Sequence, residues 1–283
     1  MNFNIITDST SDITQADARE KNIQVVPLRI LFEDGEYHDG VNITTEEFYS
    51  KLETAKILPQ TSQPSPEDFV KIFESAKSKN ESVLVITLSS SLSGTYQSAT
   101  IAKDICEYEK VYLLDSQTVT LGLKILVDYA VSLRNSGKSI EEAFEILERE
   151  KHNIRIFAAV DTLEYLKKGG RLSSTAALAG TLLNLKPIVK VEGGSVSMAA
   201  KARGTNNSYS KIKALVEEAG GIDESKPYTL GYTGAKTTLN QFIGFIEKTY
   251  NLKDCPISAI GSTVGVHAGP GACGLAFFIK TKN

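Results

Sequence analysis

The chain has 283 residues, of which 41% are hydrophobic and 23% charged, and a formal net charge of −3 at pH 7. That composition excludes a disordered or low-complexity chain, and the slight acidity argues against non-specific binding to nucleic acid or an anionic membrane. The three cysteines (Cys106, Cys255, Cys273) and three histidines (His38, His152, His267) have neither CxxC nor HExxH spacing, so a disulfide framework and the common zinc motifs are excluded too.

The length corresponds to about two domains. The longest apolar stretches, such as Ala272 to Ile279, fall short of the ~20 residues of a membrane span. The opening residues Met1 to Asp8 lack a basic region and carry an early acid, unlike a secretory signal, so the expected location is the cytoplasm.

Asn4 to Thr7 predicts a strand that ends in the polar cluster Asp8-Ser9-Thr10-Ser11-Asp12. A weak helix over Ile13 to Lys21 leads to a β-rich run from Ile23 to Phe32. The Asp34-Gly35 turn folds Leu28 to Gly40 into a small hairpin. Thr44 with Glu47 forms a capping box for a helix through Leu52, and Ser65-Pro66 opens the next. Ser82 to Leu88 is a continuous apolar run of the kind found in buried parallel strands, followed by a serine-rich turn and a helix from about Ser93-Gly94. Lys110 to Asp115 repeats the strand pattern. Helices follow at about Thr118 to Arg134 and from Ser139 to Lys151, the second with a Ser139/Glu142 capping box.

The pattern changes after residue 153. Ile154 to Val160 predicts a strand, followed by a Lys-Lys-Gly-Gly-Arg loop and an Ala/Leu-rich helix over Ser173 to Leu185. Paired strands surround Gly193-Gly194. A helix (Ser208 to Ala219), a strand (Tyr228 to Tyr232), a helix (Thr237 to Tyr250) and strands at Ile257 to Ser262 and Leu275 to Lys280 complete the chain, with His267 in a loop. Residues 1–153 alternate strand and helix as an open parallel sheet would, and residues 154–283 form a mixed α+β unit.

Two nucleotide-binding matches fail on context. Gly269-Pro270-Gly271-Ala272-Cys273-Gly274 spells G-x-G-x-x-G, but the residues after it predict a strand where a dinucleotide site needs a helix. Gly137-Lys138-Ser139 lies between two helices and lacks the upstream P-loop glycine. No GxSxG elbow occurs.

Several polar groups should nevertheless converge. Ser89 to Thr95 follows a buried strand at the carboxyl edge of the sheet, where backbone N–H groups, a hydroxyl and Gly94 serve either as an anion cradle or as a plain helix cap. Thr61-Ser62-Gln63-Pro64-Ser65 is a second hydroxyl cluster before a helix. His267 stands between Gly265 and Gly269, and Arg171 and Arg203 adjoin glycines where guanidinium groups suit phosphate or acidic partners.

Taken in order, Thr7-Asp8-Ser9-Thr10, Thr61 to Ser65, Ser90 to Gln97, Leu163 to Arg171 and the glycine-flanked His267 resemble the bacterial DegV family over nearly the whole chain. The resemblance implies two α/β domains, the first Rossmann-like, with a ligand cleft between them. It implies a fatty-acid-binding subunit, without catalytic activity of its own, that presents a bound acid such as palmitate or oleate to a separate ATP-using fatty acid kinase. On that resemblance Thr61 and Ser93 hold the carboxylate, with Ser62, Gly94 and His267 near it. Arg171 and Arg203 would engage the kinase or an anionic lipid surface, and no cofactor, metal or nucleic acid is implied.

The residue chemistry fits. Hydroxyls and N–H groups hold a carboxylate without a full countercharge, and tail burial at about 0.8 kcal/mol per methylene offers a 16-carbon acid roughly 11 kcal/mol gross. Leu172 to Leu185 and Ile154 to Val160 would wall the slot, or simply form core. The competing expectation is a hydrolase or acyltransferase using Ser93 as nucleophile and His267 as base. A regulator acting on DNA lacks a basic stripe and a helix-turn-helix signal.

Overall fold

Every residue of the apolar run Val83–Thr87 is buried, as a strand covered by helices on both faces must be. A computed structural model describes residues 3–173 and 185–281 of the chain. It begins with β1 (Asn4–Asp8), a 3₁₀ turn (Ser9–Ser11), α1 (Gln15–Glu20), β2 (Ile23–Val26), β3 (Arg29–Phe32), β4 (Gly35–His38) and α2 (Thr45–Thr54). Then come β5 (Gln60–Ser62), α3 (Pro66–Ser78), β6 (Val83–Thr87), α4 (Thr95–Cys106), β7 (Val111–Asp115), α5 (Leu121–Asn135) and α6 (Ile140–Glu150). After a second 3₁₀ turn (Lys151–Asn153) the chain forms β8 (Ile154–Ala159), α7 (Glu164–Lys168), β9 (Leu185–Glu192), β10 (Ser195–Arg203) and α8 (Thr205–Glu218). It ends with β11 (Thr229–Tyr232), α9 (Thr237–Tyr250), β12 (Ile257–Ala259), α10 (Ser262–Ala268) and β13 (Cys273–Phe278).

The first sheet is parallel throughout, in the order β2-β1-β6-β7. Strand alternation sends Ile5, Leu84 and Ile86 toward α5, and Ile6, Val83 and Val85 toward α3 and α4, so helices cover both faces. The second sheet is mixed, in the order β10-β9-β8-β13-β11-β12, with only β11 and β12 parallel. Phe157, Leu275 and Phe277 pack on α8 and α9, whereas Ile156, Ala276 and Phe278 join the cluster around α5. Helix α5 is therefore a layer common to both sheets. The fold is α/β with the two-part arrangement expected. The two expected capping boxes are formed, at Thr44/Glu47 and Ser139/Glu142, and at the start of α3 the Asp68 carboxylate accepts the Ser65 N–H.

Three local expectations need correction. The β-rich run Ile23 to Phe32 is two strands in different sheets. Pro27 has no N–H to continue a ladder, so β2 stays in the parallel sheet while β3 pairs with β4 and β5. Thr61 and Ser62, expected only as part of a hydroxyl cluster before a helix, lie on a strand, β5, paired with Ile30 and Arg29. His267 stands on α10, not in a loop, because glycines at 261, 265 and 269 hide the helical pattern. Of the expected helix Ser173 to Leu185, residues 174–184 lie outside the described residues.

Gly274, the last letter of the false dinucleotide motif, is a packing residue. It pairs with Ala158 and Gly231 inside the mixed sheet, and a Cβ there would fall 2.6 Å from both the Ala158 Cβ and the Phe157 carbonyl oxygen. Backbone cannot yield cheaply, so Gly274→Ala is expected to cost about 1–3 kcal/mol. Urea unfolding should show a lower midpoint with the slope preserved, and an unchanged midpoint would refute the assignment.

Candidate functional site

Strands β1 and β6 are parallel neighbours, and one carboxylate joins their carboxyl ends. Asp8 accepts the Leu88 N–H at 2.7 Å through Oδ2, and the Thr10 N–H at 3.0 Å and hydroxyl at 2.6 Å through Oδ1. Burial dominates its surroundings and pushes the carboxyl up to about 6 against those bonds. After β6 the chain turns through Ser89–Gly94 into α4. The Ser89 hydroxyl donates to the Gly194 carbonyl at 2.8 Å, which docks the tip of the β9–β10 hairpin on this turn. Asp115, at the end of β7, accepts the Ser90 N–H at 3.1 Å and its hydroxyl at 2.5 Å.

Three further segments meet this edge. From β5, the Thr61 Oγ1 lies 2.9 Å from the Nε2 of His267 on α10. From the loop after α7, Arg171 donates through Nε to the Leu92 carbonyl at 3.3 Å and through Nη1 to the Gly169 carbonyl at 2.6 Å. Together they border a cleft whose empty space, open mouth included, is about 590 Å³. Thr61, Ser62, Ser93, Arg171 and His267 line it, and Leu28, Leu88, Leu92, Val119, Leu166 and Val196 supply apolar wall. Gly94 stands beside it, facing the amide of Gln63. Thr61, Arg171 and His267 also border an adjoining recess with Lys168.

The electrostatics suit an anion held without a full ion pair. Burial, and then the Arg171 charge, push the His267 imidazole down to about 4, so the ring is neutral near pH 7. Its Nδ1 is buried without a hydrogen-bond partner against Gly169, where no Cβ would fit. The Ser93 hydroxyl pairs with the Thr95 hydroxyl at 3.0 Å, not with His267. With His267 bonded to Thr61, and no carboxylate on its Nδ1 among the described residues, no nucleophile–base–acid triad is assembled from those residues.

Five of the six side-chain-bearing residues singled out from the sequence thus meet in one cleft. The arginines do not form a pair: Arg171 is a wall of the cleft, whereas Arg203 is exposed at the end of β10. Thr10 and Thr263 also line the cleft. Thr10 was legible as part of the polar turn after β1. Thr263 left no signal, since its helix was not predicted. Among the described residues no His, Cys, Asp and Glu group is placed to hold a metal, and no helix is long and apolar enough to cross a membrane.

The family model described as "Uncharacterised protein, DegV family" matches residues 2–280. The chain belongs to the DegV family. A DegV domain-containing protein of Caldanaerobacter subterraneus is 36% identical over 273 residues, covering 96% of this chain and 97% of that one. Among solved structures, a fatty-acid-binding DegV family protein of Thermus thermophilus superposes with a TM-score of 0.88 at 31% identity, covering 99% of this chain and 100% of that one. A stearic acid-binding protein of Eubacterium ventriosum gives a TM-score of 0.87 at 29% identity, with 97% of each chain covered.

The neutral imidazole makes a prediction about stability. The folded state holds His267 well below its ordinary value of 6.5, so its contribution is present above that pH and is lost as pH falls toward about 4. The stability difference between the parent and His267→Gln should shrink by about 3 kcal/mol from about pH 7.5 to about pH 4 in urea titrations. Parallel pH profiles for the two proteins would contradict the buried, neutral ring.

Proposed function

We propose that the cleft binds a long-chain fatty acid such as palmitate or oleate. Thr61 and Ser93 hold the carboxylate, Ser62, Gly94 and His267 lie beside it, and the tail follows the apolar wall. The observation that carries this reading is the Thr61–His267 pair in a cleft that also has an apolar wall of Leu28, Leu88, Leu92, Val119, Leu166 and Val196. The fatty-acid-binding relative from Thermus thermophilus, similar over the full chain, supports the same ligand class.

In this reading the protein catalyses nothing itself and presents the acid to a separate ATP-dependent fatty acid kinase that forms the acyl phosphate for phospholipid metabolism in the cytoplasm. Transient contact with a membrane surface would allow acid to enter. The recess bordered by Thr61, Arg171, His267 and Lys168 gives the carboxylate a cationic approach from outside. We divide the chain at residues 153 and 154. The segment 1–153 contributes Thr61, Ser62 and Ser93, and 154–283 contributes His267, Arg171, Thr263 and part of the apolar wall.

Organic extracts of the purified protein should contain a long-chain fatty acid at near one-to-one stoichiometry by mass spectrometry. Thr61→Ala and Ser93→Ala each remove a hydroxyl donor to an ionised acceptor, about 1.5–3 kcal/mol, and should lower affinity roughly ten- to a hundredfold with little change in melting. No lipid in the extract and no uptake of labelled palmitate or oleate would end the carrier reading.

The two arginines should separate by assay. Arg171→Ala should lose bound acid, because it removes a wall of the cleft. Arg203→Ala should keep the acid yet slow acyl-phosphate formation in a reconstituted kinase reaction, more so as salt rises. Equal ligand loss in both variants would overturn this division of roles.

A further inference from the structure

Helix α10 brings Thr263, Val264, His267 and Ala268 to the cleft, yet it has only seven residues. A helix that short does not hold itself together in water. Its cap residue, Gly261, has no side chain to help. The first N–H groups are instead accepted by two carboxylates from far away in sequence. Asp12 Oδ1 accepts Gly261 N–H at 2.8 Å, and Asp39 accepts Ser262 N–H at 3.2 Å through Oδ1 and Thr263 N–H at 3.1 Å through Oδ2.

Both aspartates are buried, at 8% and 5% exposure. The other oxygen of Asp12 accepts the hydroxyl of Thr120, a β-branched residue held at φ 51°, ψ −128°, outside the regions such residues normally occupy. Its neighbour Val119 lines the cleft. The nearly buried Lys124 is the cation that acts on Asp12, and Asp39 and Asp12 act on one another. Beneath the helix, Gly265 lies so close to Phe48 and Tyr49 that no Cβ would fit, and the Tyr49 hydroxyl donates to the Ile260 carbonyl at 3.2 Å. At the far end, His267 meets Thr61.

We propose that Asp12 and Asp39 are positioning residues for ligand binding: by gripping three successive N–H groups from two sides, they set the height and rotation at which His267 meets Thr61. A slip of one residue along a helix moves a side chain about 1.5 Å and turns it about 100°, which takes His267 off Thr61. Packing on Phe48 and Tyr49 alone does not define that register, because apolar contact is non-directional, whereas two carboxylates on consecutive N–H groups do. The proposal rests on the fatty-acid reading of the cleft for its effect on affinity.

The test uses the full chain with Asp39→Ala, Asp39→Asn and Asp12→Asn. Two quantities are measured: affinity for labelled oleate, and the titration of the His267 imidazole by NMR without lipid, with His38 and His152 as internal references. Asp39→Ala removes two acceptors and should weaken oleate binding at least tenfold while the His267 titration climbs from about 4 toward its ordinary 6.5. Asp39→Asn keeps one acceptor and should fall between the two. An unshifted His267 titration in Asp39→Ala overturns the proposal, whether or not affinity falls, since loss of affinity alone would mean a general loss of stability. If Asp39→Ala does not fold, unshifted titrations in both Asp39→Asn and Asp12→Asn overturn it equally. A parent protein that binds no fatty acid would remove the functional reading, and the lipid-free imidazole titration would still decide the positioning role.

Discussion

Burial of the first two turns of α5, Leu121 to Val127, is the constraint from which the rest of the structure follows. Leu121, Leu123, Ile125, Leu126 and Val127 are each 1% exposed or less, and they belong to a single cluster that also takes in strands from both large sheets. At roughly 25 cal/mol per Å² of apolar surface, burying such a shared layer helps hold the sheets together. Among its polar exceptions, Arg134 donates through its terminal nitrogens to the Asn22 and Lys21 carbonyls at 2.9 and 2.5 Å, while its Nε is buried without a partner among the described residues. Hydrophobic burial brings the two sheets together, and directional bonds then choose one arrangement of their edges. The cleft lies where those edges meet, at the carboxyl end of the parallel sheet, the usual ligand position in open α/β folds.

The chemistry of that edge is restrained. Among the described residues that line it, the only full positive charge is Arg171, which is tethered through Nε and Nη1 to backbone carbonyls. His267 is neutral, and Thr61 and Ser93 offer hydroxyls. A carboxylate in such a setting is fixed in direction without being locked in a buried ion pair, whose rupture would be costly. This suits a carrier in the proposed role, since a group that must be handed to a second protein should not be too tightly neutralised. The imidazole is turned to a threonine, and among the described residues no carboxylate lies on its Nδ1.

Behind the cleft, the protein keeps acids where burial disfavours their charge. Asp8 and Asp12 are pushed up to about 6 and about 7 by burial, in spite of the hydrogen bonds each accepts. Each nevertheless joins segments distant in the chain, Asp8 the ends of β1 and β6 and Asp12 the starts of α5 and α10. Backbone strain at Thr120, of the kind that costs of order 1–3 kcal/mol, is held in place by one of these bonds. Buried polar junctions of this type trade stability for a unique arrangement of the cleft's components.

Much of the local structure was legible in the sequence. Continuous apolar runs marked β6 and β7, Asp34-Gly35 marked the hairpin, and the Thr44/Glu47 and Ser139/Glu142 boxes marked helix starts, because these signals act over a few residues. The ordered polar motifs singled out Thr61, Ser93 and His267, and the structure brings all three to one cleft. What the sequence left open depends on contacts between residues far apart in the chain. Three residues at β5 are too short to show alternation, and only pairing with β3 makes them a strand. Glycines hid α10, whose stability comes from Asp12 and Asp39, more than 220 residues away. Arg171 and Arg203 look alike in sequence, yet one closes the cleft and the other is exposed, because a side chain's surroundings are set by which distant segments pack against it. The sequence by itself determined the elements and the inventory of polar groups, since propensity, capping and periodicity are local. Only the tertiary structure decided which of those groups share a site and how they are charged, since burial and long-range hydrogen bonding exist only once the sheets have closed around α5.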